Sequence, residues 1–245
     1  MHKFIKVKKL NDKLIIKLDN PPVNAESTSM LKEILEVVNG VDNEIIVIWG
    51  SCVTSKGRRI FSAGGDIDEI KQGKTYQIAK LINNISKSLL RSHNYIVTIL
   101  GGDAVGGGWG MPFDISDEIF YLKGSSIIAG FTRNHITPGC GISLLLKTLG
   151  SKKSYNFLKS EKPLSLEKLE KKDSNIFHSF ENIKSIPQVV KNLQRSKKVT
   201  PHETSGIKLK NRDRLSRFIN EVIVNPKDAR EIQLKYIKMS LEEND

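Results

Sequence analysis

The alternation of apolar and polar residues is clearest at the start of the chain. Residues 4–7 and 14–18 read as two β-strands about a turn at Asn11-Asp12, and Pro21-Pro22 then ends regular structure. From Met30 the period changes. Leu31, Ile34, Leu35 and Val38 recur at helical spacing, which predicts a helix over 30–38 with Ser27 or Ser29 as its cap. Residues 44–49 form a continuous apolar run closed by Gly50, which suits a strand buried on both faces. The cycle repeats through a glycine turn, a helical stretch over 75–92 and a second buried strand over 95–100. Such alternation predicts parallel crossover units and an α/β fold. Further on, 118–122 reads as a strand, and 141–149 and 151–159 as helices. A hydrophilic segment over 161–173 precedes a charged helical region that begins near Pro187. Its last helix, over 226–241, opens at Asn225-Pro226.

Two glycine clusters interrupt this pattern. The run Phe61-Ser62-Ala63-Gly64-Gly65-Asp66-Ile67-Asp68-Glu69-Ile70 places two glycines between a buried strand and a helix start. Glycine permits close backbone approach and unusual φ/ψ, so amides there can point into a pocket. The second cluster, Gly101-Gly102-Asp103-Ala104-Val105-Gly106-Gly107-Gly108, ends in three consecutive glycines. Each glycine costs roughly 0.5–1 kcal/mol relative to alanine in a regular element, so this stretch requires a bare backbone, either for tight packing or for an exposed amide. Two clusters about forty residues apart, each following a buried strand, suit one site where adjacent strand ends meet.

Composition narrows the setting. The 245 residues suit one domain, or a core over 1–185 with a helical region over 186–245. Only Cys52 and Cys140 are present, neither in a C-x-x-C pair, so neither a disulfide framework nor a zinc site is read here and inert thiols are expected. No run approaches the roughly 18 apolar residues of a membrane span, and the Lys-rich start lacks an apolar signal region. A cytoplasmic protein is expected. The formal net charge of +12, densest between Lys184 and Arg217, favours anionic partners such as nucleic acid, phosphorylated cofactors or acidic proteins. The joint abundance of Lys, Asn and Ile is equally what AT-rich coding produces.

Taken in order and spacing, four of these features resemble the enoyl-CoA hydratase (crotonase) family. They are Asn20-Pro21-Pro22-Val23-Asn24-Ala25, the glycine turn ending in Asp66-Ile67-Asp68-Glu69-Ile70, the Gly106-Gly107-Gly108 triplet, and Thr137-Pro138-Gly139-Cys140-Gly141. The tail Asn225-Pro226-Lys227-Asp228-Ala229-Arg230-Glu231 looks like the family's C-terminal helix. The resemblance implies a crotonase fold, a spiral of ββα units followed by a C-terminal helical region that serves oligomerisation and closes the active site. It implies a substrate carried as a CoA or phosphopantetheine thioester, with no metal or redox cofactor. It also implies an oxyanion hole of the amides matching Gly65 and Gly107. Ala25, Ala63, Gly65, Asp66, Ile67 and Asp68 match the family's cofactor-binding positions. A homotrimer or dimer of trimers follows from the same resemblance.

The departures shape the expected chemistry. Hydratases of the family carry one glutamate two positions after the glycine triplet and another ahead of the Pro-Gly turn, and this sequence has Gly110 and Phe131 there. Neither moves a proton. The stretches around Trp109 and Ala129-Gly130-Phe131-Thr132-Arg133 are most similar to the decarboxylases of polyketide β-branching cassettes, which act on acyl carrier protein. That type implies a tyrosine and a lysine four residues apart on the helix after the first turn, and Tyr76 and Lys80 have that spacing on one helical face. Lys80 would donate the proton, with Tyr76 assisting and Lys74 as a fallback. The type's C-terminal histidine falls on Asn220. Trp109 and Phe131 suit either an acyl cavity or ordinary core, and His93 and His135 suit surface or packing roles. Two alternatives stay open: another crotonase reaction, a hydratase, dehydratase or isomerase with Asp68, Glu69 or Asp114 as base, and a non-catalytic thioester- or RNA-binding relative. The lack of an RNP-like aromatic motif weighs against RNA.

Overall fold

The structure, a computed structural model, describes residues 2–42, 44–130, 141–160 and 162–194. The predicted helix over 226–241, the charged stretch beyond 194 and the turn at Thr137-Pro138-Gly139-Cys140 lie outside the described residues.

The chain opens as an antiparallel hairpin, β1 (Ile5–Leu10) and β2 (Lys13–Leu18), joined at Asn11-Asp12, with Asn11 at φ 55°. Asparagine tolerates that left-handed conformation better than most residues. β1 is a sheet edge, and its exposed Lys6, Lys8 and Lys9 discourage pairing with another chain. Helix α1 (Thr28–Val38) follows, capped by the Ser27 hydroxyl, which accepts from the Met30 N–H at 3.2 Å. Met30, Leu31, Ile34 and Val38 form its buried stripe.

Strand β3 (Ile45–Gly50) has the two buried faces its apolar run predicts. Ile46 and Ile48 enter the main core, while Ile45 and Val47 pack on the other side with Phe180, Ile186, Val190 and Leu193. Strands β4 (Cys52–Val53) and β5 (Arg59–Ser62) lead into helices α2 (Ile67–Lys71) and α3 (Thr75–Arg91). The next unit is β6 (Tyr95–Leu100), β7 (Asp103–Val105) and α4 (Gly107–Ile115), and the one after it β8 (Glu118–Leu122), β9 (Ser126–Ile128) and α5 (Ile142–Leu149). Then come α6 (Ser151–Ser160), β10 (Leu164–Ser165), α7 (Leu166–Glu170), β11 (Phe177–Phe180) and α8 (Ile186–Asn192).

Two sheets result. The larger has the order β1-β2-β3-β6-β8-β11 and is parallel from β2 onward. The smaller has the order β10-β9-β7-β5-β4, with β5, β7 and β9 parallel neighbours. The chain repeatedly passes from a strand of the large sheet to one of the small sheet and then into a helix, which is the implied spiral of ββα units. The small sheet is absent from the sequence pattern because its strands span two to four residues. So short a run carries no measurable period. The hydrophilic segment over 161–173 likewise contains β10 and α7, which buries Leu166 and Leu169. No described helix is long and apolar enough to cross a membrane.

Candidate active site

Because β5 and β7 are adjacent and parallel, the turns that follow them emerge at the same end of the small sheet. They touch through Gly64. Its φ is +76°, and a methyl group there would stand 2.5 Å from the Val105 carbonyl oxygen and 2.8 Å from the Gly107 nitrogen. The two glycine clusters thus meet, though at the ends of the short β5 and β7 rather than of the long apolar strands. The second cluster divides between two uses. A methyl on Gly108 would lie 2.6 Å from the Ser62 carbonyl oxygen, and one on Gly102 2.4 Å from that of Arg59, so these glycines serve close packing.

Two amides of these turns stand outside the regular backbone pairing. Gly107 is the first residue of α4, where an N–H has no intrahelical acceptor. Gly65 sits opposite Glu26 in a parallel bridge in which the Glu26 N–H donates to the Gly64 carbonyl at 2.8 Å and the Asp66 N–H to the Glu26 carbonyl at 3.3 Å. That pattern turns the N–H of Gly65 itself to the opposite side.

The loop holding Ala25 is fixed by Asn24, fully buried at φ 49°. Its side-chain amide donates to the Phe61 carbonyl at 2.8 Å and its oxygen accepts from the Asn20 N–H at 2.9 Å. Ala63 donates its N–H to Val23 at 2.9 Å, which places Ala25, Ala63, Gly65 and Asp66 along one line of paired backbone. Asp66 caps α2, accepting from the Asp68 and Glu69 N–H groups at 3.0 and 3.1 Å. Ile67 and Asp68 follow on the exposed first turn of that helix.

Tyr76 and Lys80 share a face of α3, as their spacing predicts, and that face is exposed. Between them Ile78 is buried, and a methyl on Gly65 would be 3.8 Å from its Cγ2. Positions 76 and 80 lie about 200° around the helix from 78. The structure therefore brings the turns that carry Gly65 and Gly107 into contact through Gly64, and places Tyr76 and Lys80 on the exposed face of α3. Lys74 pairs with Glu69 at 3.6 Å.

The match to the family model for enoyl-CoA hydratase/isomerase spans residues 11–172, which includes both glycine turns and the small sheet between them. The chain belongs to the enoyl-CoA hydratase/isomerase family. Among curated proteins it is 29% identical over 140 residues to the peroxisomal bifunctional enzymes of Homo sapiens and Pongo abelii. That stretch is 56% of this chain and 18% of either relative. Among solved structures, an enoyl-CoA hydratase from Bacillus halodurans superposes with a TM-score of 0.73 at 20% identity, covering 98% of this chain and 100% of the other. Pseudomonas aeruginosa DspI superposes with a TM-score of 0.71 at 15% identity, over 94% and 95% of the two chains. At these identities the likeness concerns the fold.

Within this crotonase framework the acidic side chains fall into two groups. Glu69 is committed to structure: its oxygens accept from the Thr28 N–H at 2.7 Å and the Thr28 hydroxyl at 3.0 Å, tying α2 to α1. Asp117 accepts from the Ile96 N–H at 2.9 Å, the role of an aspartate at a strand start. Asp114 and Glu26 differ. Both carboxyl oxygens of Asp114 are buried without a hydrogen bond of normal geometry among the described residues, and burial pushes its pKa up to about 8, with the Gly141 amide acting in the other direction.

Glu26 gives no signal of its own in the sequence pattern. It is 2% exposed, and its Oε2 would stand 2.6 Å from a methyl group on Gly107. Among the described residues Oε2 has no hydrogen-bond partner, and Oε1 has only a long 3.5 Å contact with the Ser62 hydroxyl. Burial raises the carboxyl to about 7, against the weaker opposing pull of Ser62. An acidic residue just ahead of a helix reads as a favourable partner for the helix dipole, which conceals it. The one clue is its position immediately after Asn24-Ala25 in the recognisable run.

The remaining candidates serve packing or the surface, or lie outside the described residues. Trp109 is fully buried, donates from Nε1 to the Ile128 carbonyl at 2.9 Å, and packs edge-on against Phe113 and Phe157. It is a core residue. His93 is exposed beside Asp42 ahead of β6, at the opposite end of that strand from the turns. Cys52 is a free, partly buried thiol whose Sγ contacts the Asn24 oxygen at 3.2 Å. Phe131, Arg133, His135, Cys140 and Asn220 lie outside the described residues.

Proposed function

We propose that this chain is an enzyme that binds an acyl thioester of CoA or phosphopantetheine and stabilises its enolate with the N–H groups of Gly65 and Gly107. The observation that supports this reading is the contact of the two glycine turns through Gly64, where an added methyl would meet both the Val105 carbonyl oxygen and the Gly107 nitrogen. A thioester enolate concentrates charge on one oxygen, and loss of a single preorganised donor to such an oxygen typically costs about 10²–10³ in rate. Gly65, Asp66, Ile67 and Asp68, with Ala25 and Ala63, form the backbone edge along which the pantetheine arm would lie. A concave surface lined by Lys153, Lys168, Lys171 and Lys172 around Phe157 adds positive charge suited to an anionic carrier, whether CoA phosphates or an acidic carrier protein.

The narrower reading is decarboxylation of a glutaconyl-type acyl group in polyketide β-branching. The bond to the carboxylate carbon breaks, its electron pair enters the thioester as a dienolate held by Gly65 and Gly107, and one carbon is then protonated. Glycine at position 110 supports it, since hydration would need a carboxylate there. Lys80, assisted by Tyr76, would be the proton donor of this reading; their place on the exposed face of α3 counts against it, and Lys80→Ala is the variant that decides. Mass spectrometry of 3-methylglutaconyl carrier protein incubated with the protein should detect loss of carbon dioxide with wild type and not with Lys80→Ala. Equal activity of the variant removes Lys80 from the mechanism, and an inert wild type removes decarboxylation. The second reading, isomerisation of an enoyl thioester, is favoured by the buried carboxyls of Glu26 and Asp114. A homotrimer of the family's kind is the assembly this reading carries.

A further inference from the structure

The enolate reading needs a group that moves a proton, and the positions that supply it in hydratases hold Gly110 and Phe131. Glu26 stands beside the amide pair instead. Its backbone pairs with both neighbours of Gly65, and its carboxyl reaches under Gly107, so a single residue touches both turns. Among the described residues that carboxyl forms no ion pair, its Oε1 has only the long contact with the Ser62 hydroxyl, and its Oε2 is unpartnered. A buried acid without partners costs stability that an apolar side chain would not, and such costs are retained where activity requires them.

Charge decides what the carboxyl does when the site is filled. An enolate oxygen held by Gly65 and Gly107 and an ionised Glu26 would be two negative charges in a desolvated space, and they disfavour each other strongly. Glu26 is therefore neutral when the enolate is present and free to ionise when it is not. Asp114 lies seven residues along α4 from Gly107, about 10 Å down the helix axis, and is the more remote of the two buried carboxyls.

We propose that Glu26 is the catalytic acid and base of this site, taking a proton from the carbon next to the thioester carbonyl and returning it. The C–H bond breaks, its electron pair moves onto the carbonyl oxygen held by Gly65 and Gly107, and the proton passes to Glu26 Oε2. In the reverse step the proton returns to that carbon or, in an unsaturated chain, to the carbon two further along, which shifts the double bond. No other reactant is consumed. The substrate class is an acyl thioester with an acidified α-proton, a β,γ-unsaturated chain above all. This inference rests on the enolate reading.

The experiment incubates the full chain with but-3-enoyl-CoA in deuterium oxide and follows deuterium incorporation by mass spectrometry, with butyryl-CoA binding measured separately by calorimetry. Wild type should bind and exchange, with a rate that rises with pH through neutrality. Glu26→Gln, nearly identical in shape, should bind butyryl-CoA within about threefold of wild type yet exchange about 100-fold more slowly and without that pH dependence. Glu26→Asp should recover part of the rate together with the pH dependence. Exchange by Glu26→Gln at the wild-type rate overturns the role of Glu26 and leaves the amide pair standing. A wild type that binds butyryl-CoA but exchanges nothing overturns this inference, while the enolate reading then stands or falls on the loss of carbon dioxide measured separately.

Discussion

Replacing Gly64 by alanine tests whether contact between the two turns holds the amide pair in place. The added methyl would meet the Val105 carbonyl oxygen at 2.5 Å, and contacts under 3.0 Å are essentially never seen for a real β-carbon. The obstacle is backbone, so the turn itself must retreat by about half an ångström. Donors to an oxyanion work over roughly 2.7–3.1 Å, a window narrower than that displacement. The variant also places alanine in a left-handed conformation, at about 1–2 kcal/mol. Overpacking adds about 1–3 kcal/mol. Gly57→Ala isolates the conformational contribution, because Gly57 has φ +75° and nothing within 4 Å of the point where its methyl would stand. In urea unfolding, Gly57→Ala should lose only that contribution, and Gly64→Ala should unfold about 0.5–1 M earlier still. Deuterium exchange of but-3-enoyl-CoA should fall about 10²-fold for Gly64→Ala, the loss of one donor, and stay unchanged for Gly57→Ala. If the two variants match in unfolding midpoint and in exchange, the close-contact reasoning is wrong.

Three further outcomes follow from particular residues. Glu26 is ionised above about 4.5 when unfolded but neutral up to about 7 when folded, so the folded state holds the extra proton in that window and stability falls as pH rises through it. The loss is roughly 3 kcal/mol. Glu26→Gln should lack it and be the more stable protein at about pH 8 in chemical denaturation; parallel pH curves would refute the burial argument. Glu69→Ala leaves the Thr28 N–H and hydroxyl without their acceptor and should lower unfolding stability by about 1–3 kcal/mol, with an unchanged midpoint counting against that tether. Asn24→Ala removes one buried and one partly buried hydrogen bond and puts alanine at φ 49°, so a loss of about 2–4 kcal/mol is expected by thermal or urea unfolding, and a loss under about 1 kcal/mol would contradict it.

Much of the framework is legible in local pattern. The hairpin about Asn11-Asp12, the doubly buried strands β3 and β6, and helices α1 and α3 appear close to their predicted bounds, because the apolar period records which faces must leave water. The choice between Ser27 and Ser29 as cap is settled by chain geometry at the helix start, where only Ser27 stands just ahead of the first helical residue. Gly65 and Gly107 are legible as candidates because a run of glycines is costly wherever the bare backbone goes unused, and the motif order ties them to one family.

Which groups share the site with those glycines is decided by packing between segments distant in sequence. The pairing of β5 with β7, each too short to show a period, is what carries Gly64 against Gly107 and closes the two turns on each other. That same closure buries Glu26, whose sequence surroundings mark it only as an acid ahead of a helix. Tyr76 and Lys80 illustrate the converse: a spacing of four guarantees a shared helical face, but the depth of Ile78 in the core determines that the face looks outward. Periodicity reports whether a side chain is near water. It does not report which backbone turn lies on the other side of it, and proton transfer depends on that neighbour.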